Sequence, residues 1–242
     1  MYKRQLDRHL AAVTAAHRAA ELPSPREHPA LRAVLRGIRR THGTAPHQVA
    51  PLRVEDLRAA LPRDDSPRSI RDRALLLLGF AAALRRSELV ALDVTDLEGR
   101  AEGLVLSIRS SKTDPERRGD QIGVPYARRP ELCAVRAVEA WRARIDGGAL
   151  FRPVNRHGQI AAARLSDRAV AEIVKEAATR AGLDPAHFAG HSLRAGFATS
   201  AAAAGLPERE IMRQTRHRSL AVFRDYVRKG SLFLDNPAGR LL

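Results

Sequence analysis

Apolar residues recur every three or four positions along most of the chain, which is the spacing of one face of an α-helix. This spacing predicts helices over residues 6–20, 27–40, 67–84, 131–144, 166–180, 193–204, 207–214 and 220–228. The third of these carries the longest uncharged apolar run, Ala74–Leu84, so we expect it at the centre of the core. Ser66 and Pro67 predict where it starts, because serine caps helix N-termini and proline fits the first turn.

Two short segments alternate apolar and polar residues instead, which is the period of a β-strand. They are Leu104–Arg109 and Gln121–Val124, and the charged stretch from Ser110 to Asp120 separates them. We therefore expect an antiparallel hairpin with a long, charged tip. The predicted fold class is α+β, mainly α-helical, with a small antiparallel β-sheet.

A break in the periodicity divides the chain into two parts. The stretch from Thr41 to Pro51 contains one glycine and two prolines and has no helical or strand pattern, which is typical of a linker. The predicted organisation is a short helical region over residues 1–41, a linker over 42–51 and one larger domain over 52–242.

The charge balance points to a polyanionic partner. The 242 residues include 42 Lys and Arg against 27 Asp and Glu, which gives a formal net charge of +15. Only Lys3, Lys112, Lys175 and Lys229 are lysines, so arginine supplies most of the positive charge. The planar guanidinium matches two phosphate oxygens at once, and such an excess attracts nucleic acid. An arginine- and alanine-rich composition is also common in GC-rich genomes, so the charge alone decides little.

Several classes of protein are excluded. The longest uncharged apolar run has 11 residues, against roughly 18 for a membrane span, and the charged N-terminus does not resemble a secretory signal. We therefore expect a cytoplasmic protein with no membrane partner. The single cysteine, Cys133, excludes an internal disulfide and a cysteine-rich zinc module. The phosphate-binding loop, the dinucleotide-binding glycine motif and the zinc-protease motif are all missing.

The most informative motif is His191-x-x-Arg194, at the start of an apolar helix, where a spacing of three puts both side chains on one face. Both can donate hydrogen bonds to one phosphate. A nucleophile elbow at Gly190 is not favoured, because its fifth position is an arginine and no parallel-sheet pattern surrounds it. A metal pair of His187 and His191 is not favoured either, since the nearby carboxylates are too few.

Five further residues accompany this motif. Arg85 follows the apolar run, and Glu88 is placed three residues on to hold its guanidinium. Lys112 falls in the hairpin tip, where a lysine offers a proton that an arginine does not give up. His217 precedes the last predicted helix, which contains Tyr226.

Taken in chain order, Arg-x-Ser-Glu-Leu at 85–89, the hairpin lysine, His-x-x-Arg, a second histidine and a tyrosine resemble the tyrosine recombinase, or phage integrase, family. The resemblance covers roughly Pro51 to Arg228, the family's catalytic domain. It implies that the first 41 residues are the remnant of a helical core-binding domain. The sequence departs from the family at Thr215-Arg216-His217, where Leu-Gly-His is more usual.

The resemblance also implies roles for these residues. Tyr226 attacks the scissile phosphate and forms a 3′-phosphotyrosyl bond, with His191 as the suggested base and Lys112 as the suggested acid. Arg85 and Arg194 clamp the phosphate oxygens, His217 adds a hydrogen bond, and Glu88 supports Arg85. No metal, ATP or other cofactor is implied, and no small-molecule substrate.

The implied partner is double-stranded DNA, with self-association on DNA as a dimer or tetramer. The candidate contacts to the DNA backbone are Arg86, Arg109, Arg117, Arg118, Arg216 and Arg218. Two alternatives remain open at this point. One is a truncated integrase that binds DNA or regulates a relative without cleavage, and the other is DNA relaxation by a type IB topoisomerase-like enzyme.

Overall fold

The computed structural model describes residues 2–43, 49–109 and 119–216. The chain divides into two compact units, Met1–Gln48 and Val49–Leu242. The predicted helix over residues 220–228 lies outside the described residues, as does most of the predicted hairpin tip.

The first unit contains α1, Tyr2–Ala19, and α2, Pro29–His42, so both predicted helices are confirmed. A single turn of 3₁₀-helix, Pro25–Glu27, connects them. The Ser24 hydroxyl accepts a hydrogen bond from the Arg26 backbone N–H, and His28 Nδ1 caps α2 through the Ala30 N–H at 3.3 Å. Proline at the start of each segment and these caps explain why the chain stops and restarts its helix here.

The second unit contains seven described helices and one sheet. The helices are α3, Val54–Ala60; α4, Pro67–Ala81; α5, Arg86–Ala91; α6, Ala134–Arg142; α7, Asp167–Arg180; α8, Ser192–Ala203; and α9, Glu208–Thr215. The strands are β1, Leu97–Arg100; β2, Gly103–Ile108; and β3, Asp120–Pro125. The predicted fold class, mainly helical with a small antiparallel sheet, is confirmed.

Helix α4 is the central element, as its apolar run predicts. Leu75, Leu76 and Leu78 are fully buried, and the helix packs between α6 and α8. Its start is also as predicted, because the Ser66 hydroxyl accepts a hydrogen bond from the Ser69 N–H at 3.2 Å. Its end is not: the helix stops at Ala81 rather than Leu84, and Ala83 turns the chain with φ 47°.

The sheet has the order β1-β2-β3, with both pairs antiparallel. Leu106 of β2 lies opposite Leu97 on one side and Ile122 on the other, so one face carries the buried apolar residues. The β2–β3 hairpin is as predicted. Strand β1 was not predicted, because three of its four residues are exposed and only Leu97 is buried.

Two further helices were not predicted, and α6 starts later than predicted. Helices α3 and α5, of 7 and 6 residues, are too short to show a helical period. Helix α6 begins at Ala134 rather than at 131, because a 3₁₀ turn over Pro130–Leu132 comes first. Among the described residues, no helix combines the length and the hydropathy that a bilayer crossing requires.

Helix α8 is locked against the segment that leads into α3. The Leu52 N–H donates to the Ser192 carbonyl at 3.0 Å, and the Val54 N–H donates to the Ser200 hydroxyl at 3.0 Å. A Cβ added at Gly196 would lie 1.8 Å from the Leu52 carbonyl oxygen, so only glycine permits this approach. The contact fixes the helix that carries the His-x-x-Arg motif.

Candidate active site

The turn from α4 to α5 organises the site. Arg85 immediately precedes α5, and the Glu88 carboxylate accepts the Arg85 backbone N–H at 2.9 Å. The other carboxylate oxygen of Glu88 accepts Nη1 of Arg85 at 2.5 Å. The Glu88 side chain is 1% exposed and that of Arg85 is 14% exposed. Glu88 therefore caps α5 and holds the Arg85 guanidinium with one buried carboxylate.

Helix α8 brings Arg194 to the same turn. The residue is buried, and its Nη1 donates to the Ala83 carbonyl at 2.8 Å, two residues before Arg85. Ala83 presents this carbonyl because its left-handed backbone turns the chain there. Two arginines that are more than a hundred positions apart in the sequence thus share one anchoring turn.

His191 stands at the N-terminal end of α8 and faces the same charges. Its pKa is lowered, first by burial and then by the positive charges of Arg194, Arg85 and Arg86, while Glu88 opposes the shift. The imidazole is therefore neutral at neutral pH. A neutral imidazole can accept a proton, which an imidazolium cannot.

The end of α9 completes the described part of the site. The Gln214 amide donates to the carbonyls of Ala81 at 2.9 Å and of Gly123 at 3.3 Å, which ties α9 to α4 and β3. Two residues later, Nη2 of Arg216 donates to Glu88 at 2.6 Å. Arg216 was predicted as a contact to the DNA backbone, but the structure turns its side chain inward.

The other described candidates for DNA contact are half exposed. Nε of Arg86 lies 3.2 Å from the Asp167 carboxylate, and its aliphatic stem lies over Gly190. Nη2 of Arg109 donates to the Asp93 carboxylate at 2.6 Å and to the Ala91 carbonyl at 3.0 Å. Arg109 thus holds the base of the β2–β3 hairpin against the end of α5.

Six of the predicted residues lie outside the described ranges. They are Lys112, Arg117, Arg118, His217, Arg218 and Tyr226. Their predicted roles stay predictions. The structure brings together Arg85, Glu88, His191 and Arg194, the described members of the predicted catalytic set.

Sequence reasoning missed two features of this site. Gln214 was not singled out, because a glutamine near a helix end has no distinctive pattern. The carbonyls of Ala81 and Ala83 carry no side-chain signal at all, since the backbone fold alone directs them. The local signals available were two pairs at a spacing of three, Arg85 with Glu88 and His191 with Arg194.

The comparisons with known proteins agree with this geometry. Residues 49–231 match the model of the phage integrase family, and the chain belongs to that family. It is 42% identical to an integrase/recombinase xerD homolog of Selenomonas ruminantium, over 98% of this chain and 71% of that protein. It is 34% identical to tyrosine recombinase XerD of Xanthomonas axonopodis pv. citri, over 75% of this chain and 58% of that protein.

Solved structures show the same fold. The Tn1549 transposon integrase in complex with circular intermediate DNA superposes with a TM-score of 0.63 at 17% identity, covering 93% of this chain and 75% of that one. The XerH site-specific recombinase, in a post-cleavage complex with palindromic difH substrate, gives 0.61 at 18% identity, covering 78% and 52%. The chain thus spans little more than half the length of the Xanthomonas XerD and of the XerH recombinase.

Proposed function

We propose that this chain is a site-specific DNA recombinase, or integrase, that breaks and rejoins DNA strands through a 3′-phosphotyrosyl intermediate. The observation that carries the proposal is the convergence of Arg85, Arg194 and a neutral His191 on the α4–α5 turn. The family supports it, since the relatives named above are recombinases and integrases. Neither a type IB topoisomerase nor a module that only binds DNA has such support.

In the proposed reaction, the Tyr226 hydroxyl attacks the phosphorus of one phosphodiester. A bond from the tyrosine oxygen to phosphorus forms as the bond from phosphorus to the 5′-oxygen breaks. The phenol proton passes to His191, and Lys112 gives a proton to the 5′-oxygen, so that a free 5′-hydroxyl leaves. Attack by a 5′-hydroxyl on the phosphotyrosine reverses these steps and rejoins a strand.

The arginines supply the electrostatic stabilisation. A phosphodiester gains negative charge as the fifth oxygen approaches, and hydrogen-bond donors that are already in place stabilise this charge without reorganising. Arg85 is held by Glu88 and Arg194 by the Ala83 carbonyl, so both guanidinium groups are oriented before DNA binds. His217 would add a further donor.

The remaining roles are proposed on the same basis. The partner is double-stranded DNA, contacted along its backbone through Arg86, Arg109, Arg117, Arg118 and Arg218, with assembly into a dimer or tetramer on the DNA. Residues 1–41 would correspond to the end of a core-binding domain, joined by residues 42–51 to the catalytic domain. The protein would act in the cytoplasm, where its DNA lies.

The test is strand cleavage by the full chain on supercoiled plasmid, with EDTA and without ATP, stopped with SDS. We expect relaxed plasmid and DNA covalently linked to protein. Both should vanish in Tyr226→Phe, because the ring without its hydroxyl cannot form the ester. The matched control is plasmid binding in a native gel, which Tyr226→Phe should retain.

Two results would contradict the proposal. Plasmid that is bound but never linked to protein would favour a module that holds DNA without cleavage. Protein-linked DNA that persists in Tyr226→Phe would assign the nucleophile to another residue. If the wild-type protein does become linked to DNA, sequencing the linked DNA ends would identify the target site.

A further inference from the structure

Arg216 occupies a position that disfavours an arginine. It ends α9 with φ 55° and ψ 42°, in the left-handed region. Glycine adopts this conformation freely, whereas a residue with a Cβ is strained there. The contacts of the Arg216 side chain should therefore explain why an arginine occupies this position.

The side chain is buried against the site. It is 10% exposed, and its Nη2 donates to Oε2 of Glu88 at 2.6 Å. The Asp120 carboxylate lies 4.0 Å from Nε, which is too far for a hydrogen bond. Within the described part of the chain, Nε and Nη1 are enclosed and have no hydrogen-bond partner. Glu88 is therefore the main polar contact of this guanidinium.

Glu88 consequently serves two guanidinium groups. Its Oε1 accepts from Arg85 and its Oε2 from Arg216. One carboxylate can cancel one positive charge. If Arg216 were neutral, Glu88 would offset the charge of Arg85, the residue proposed to bind the phosphate. With Arg216 charged, the three side chains together keep one positive charge in a buried setting, where charges act strongly.

We propose that Arg216 is a positioning residue of the active site, which compensates the charge of Glu88 so that Arg85 keeps its full attraction for the scissile phosphate. The inference rests on the proposed function, since it assigns a phosphate to Arg85. Arg216 acts through Glu88 and does not touch the phosphate. Glu88 can therefore orient Arg85 without weakening it.

The first test measures anion binding without DNA, with tungstate as the phosphate analogue. The melting temperature of the full chain is measured at increasing tungstate concentration. The part of the rise in melting temperature that is lost in Arg85→Ala reports binding at the site. We expect Arg216→Gln to weaken this binding by about tenfold or more, as removal of one nearby buried charge would. Arg213→Gln is the matched control, because Arg213 is exposed on the same helix.

A second pair of variants separates charge from shape. Adding Glu88→Gln to Arg216→Gln restores the net charge of the cluster, so the double variant should bind tungstate more tightly than Arg216→Gln alone. Arg216→Gly relieves the backbone strain at φ 55° but removes the charge. We expect it to melt no lower than the wild type and still to bind tungstate as weakly as Arg216→Gln.

Three results would overturn the inference. The first is that Arg216→Gln binds tungstate as tightly as the wild type. The second is that the double variant binds tungstate no more tightly than Arg216→Gln alone. The third is that Arg85→Ala removes none of the tungstate binding of the wild type. DNA and Tyr226 play no part in these measurements. A protein that meets the tungstate expectations but never becomes linked to DNA would contradict the proposed function alone, and Arg216 would still be shown to strengthen anion binding at Arg85.

Discussion

Two buried groups of arginine and carboxylate side chains in the second unit contain the same kinds of ion pair but differ in their net charge. In α4, Arg71 donates through Nε and Nη2 to one oxygen of Asp72, at 2.9 and 2.7 Å, and through Nη1 to the Arg152 carbonyl at 3.2 Å. We call Arg71 and Asp72 the core pair. At the α4–α5 turn, the site cluster of Arg85, Glu88, Arg194 and Arg216 has three guanidinium groups and one carboxylate.

The difference lies in the charge balance. The core pair has one charge of each sign, and burial raises the pKa of Asp72 while Arg71 opposes the shift. The site cluster carries a surplus of two positive charges among these four residues. Buried charge is costly unless it is compensated. The surplus positive charge of the site cluster therefore favours the binding of an anion. The balanced pair supports the fold, and the unbalanced cluster lies where we propose that the phosphate binds.

The largest effect is expected for Arg194→Ala in the site cluster. Loss of one oriented donor to the transition state should lower the rate of strand cleavage at saturating DNA by about 10²–10³-fold. Stability should change less, because removing the whole side chain also removes its buried charge, although the hydrogen bond to the Ala83 carbonyl is lost. Single-turnover formation of the protein–DNA link measures this, with melting temperature as the control. Cleavage close to the wild-type rate would remove Arg194 from the catalytic set.

The matching change in the core pair is Arg71→Ala. It leaves the buried Asp72 carboxylate with only the half-exposed Arg68 nearby, at 3.9 Å, and should lower the free energy of unfolding by about 3–5 kcal/mol. Removing both charges, in Arg71→Ala with Asp72→Ala, should be less harmful than the single change. Urea unfolding measures the stability, and the cleavage rate per folded molecule should stay unchanged. A lower cleavage rate per folded molecule of Arg71→Ala would contradict the purely structural role of the core pair.

The pH dependence of cleavage gives a third contrast. The pKa of His191 lies below its usual value of 6.5, so the imidazole, our proposed base, is mostly neutral at pH 6.5 and becomes charged as the pH falls further. We expect an acid limb in the cleavage rate at pH values under 6.5, up to about tenfold per pH unit. His191→Gln should remove this limb. An acid limb centred above 6.5 would contradict the assigned cause.

The same shift bears on stability. Because the folded pKa of His191 is lowered, the unfolded chain binds the proton more readily. The contribution of His191 to stability is therefore complete above pH 6.5 and is lost as the pH falls from there through the folded pKa. Chemical unfolding of wild type and His191→Gln at several pH values would show this as a difference confined to the acid side.

The smallest effect is expected for Arg86→Ala, outside both groups. Its guanidinium is half exposed and already faces Asp167, so loss of one backbone contact should weaken DNA binding a few-fold at most. The slope of log affinity against log salt should fall by about one unit. Filter binding over a range of salt concentrations measures this. An unchanged slope would mean that Arg86 does not contact DNA.

Local patterns predicted much of the fold because they reflect burial along single elements. The helical period identified α4, α7 and α8, and alternation identified β2 and β3, since each of these buries one consistent face. Helix α5 and strand β1 were missed, because six and four residues are too few to show a period. The end of α4 was misplaced, since the apolar run continues to Leu84 through a turn that packing imposes at Ala83.

The candidate site likewise combines residues that local spacing predicts with contacts that only the folded structure creates. Arg85 and Glu88 are three residues apart, and His191 and Arg194 likewise, so helix geometry alone pairs them. The link between these pairs depends on long-range contacts. Arg194 reaches Ala83, and Gln214 reaches Ala81, through carbonyls that only the folded backbone presents.

By itself, the sequence determined the residue types, their order and the excess of arginine, because chemistry and short-range spacing are written in the chain. Only the tertiary structure decided that Arg216 turns inward and shares Glu88 with Arg85. The physical reason is that charge compensation depends on distances between segments far apart in the chain. Such distances are set when α4, α8 and α9 pack together, and no local pattern encodes them.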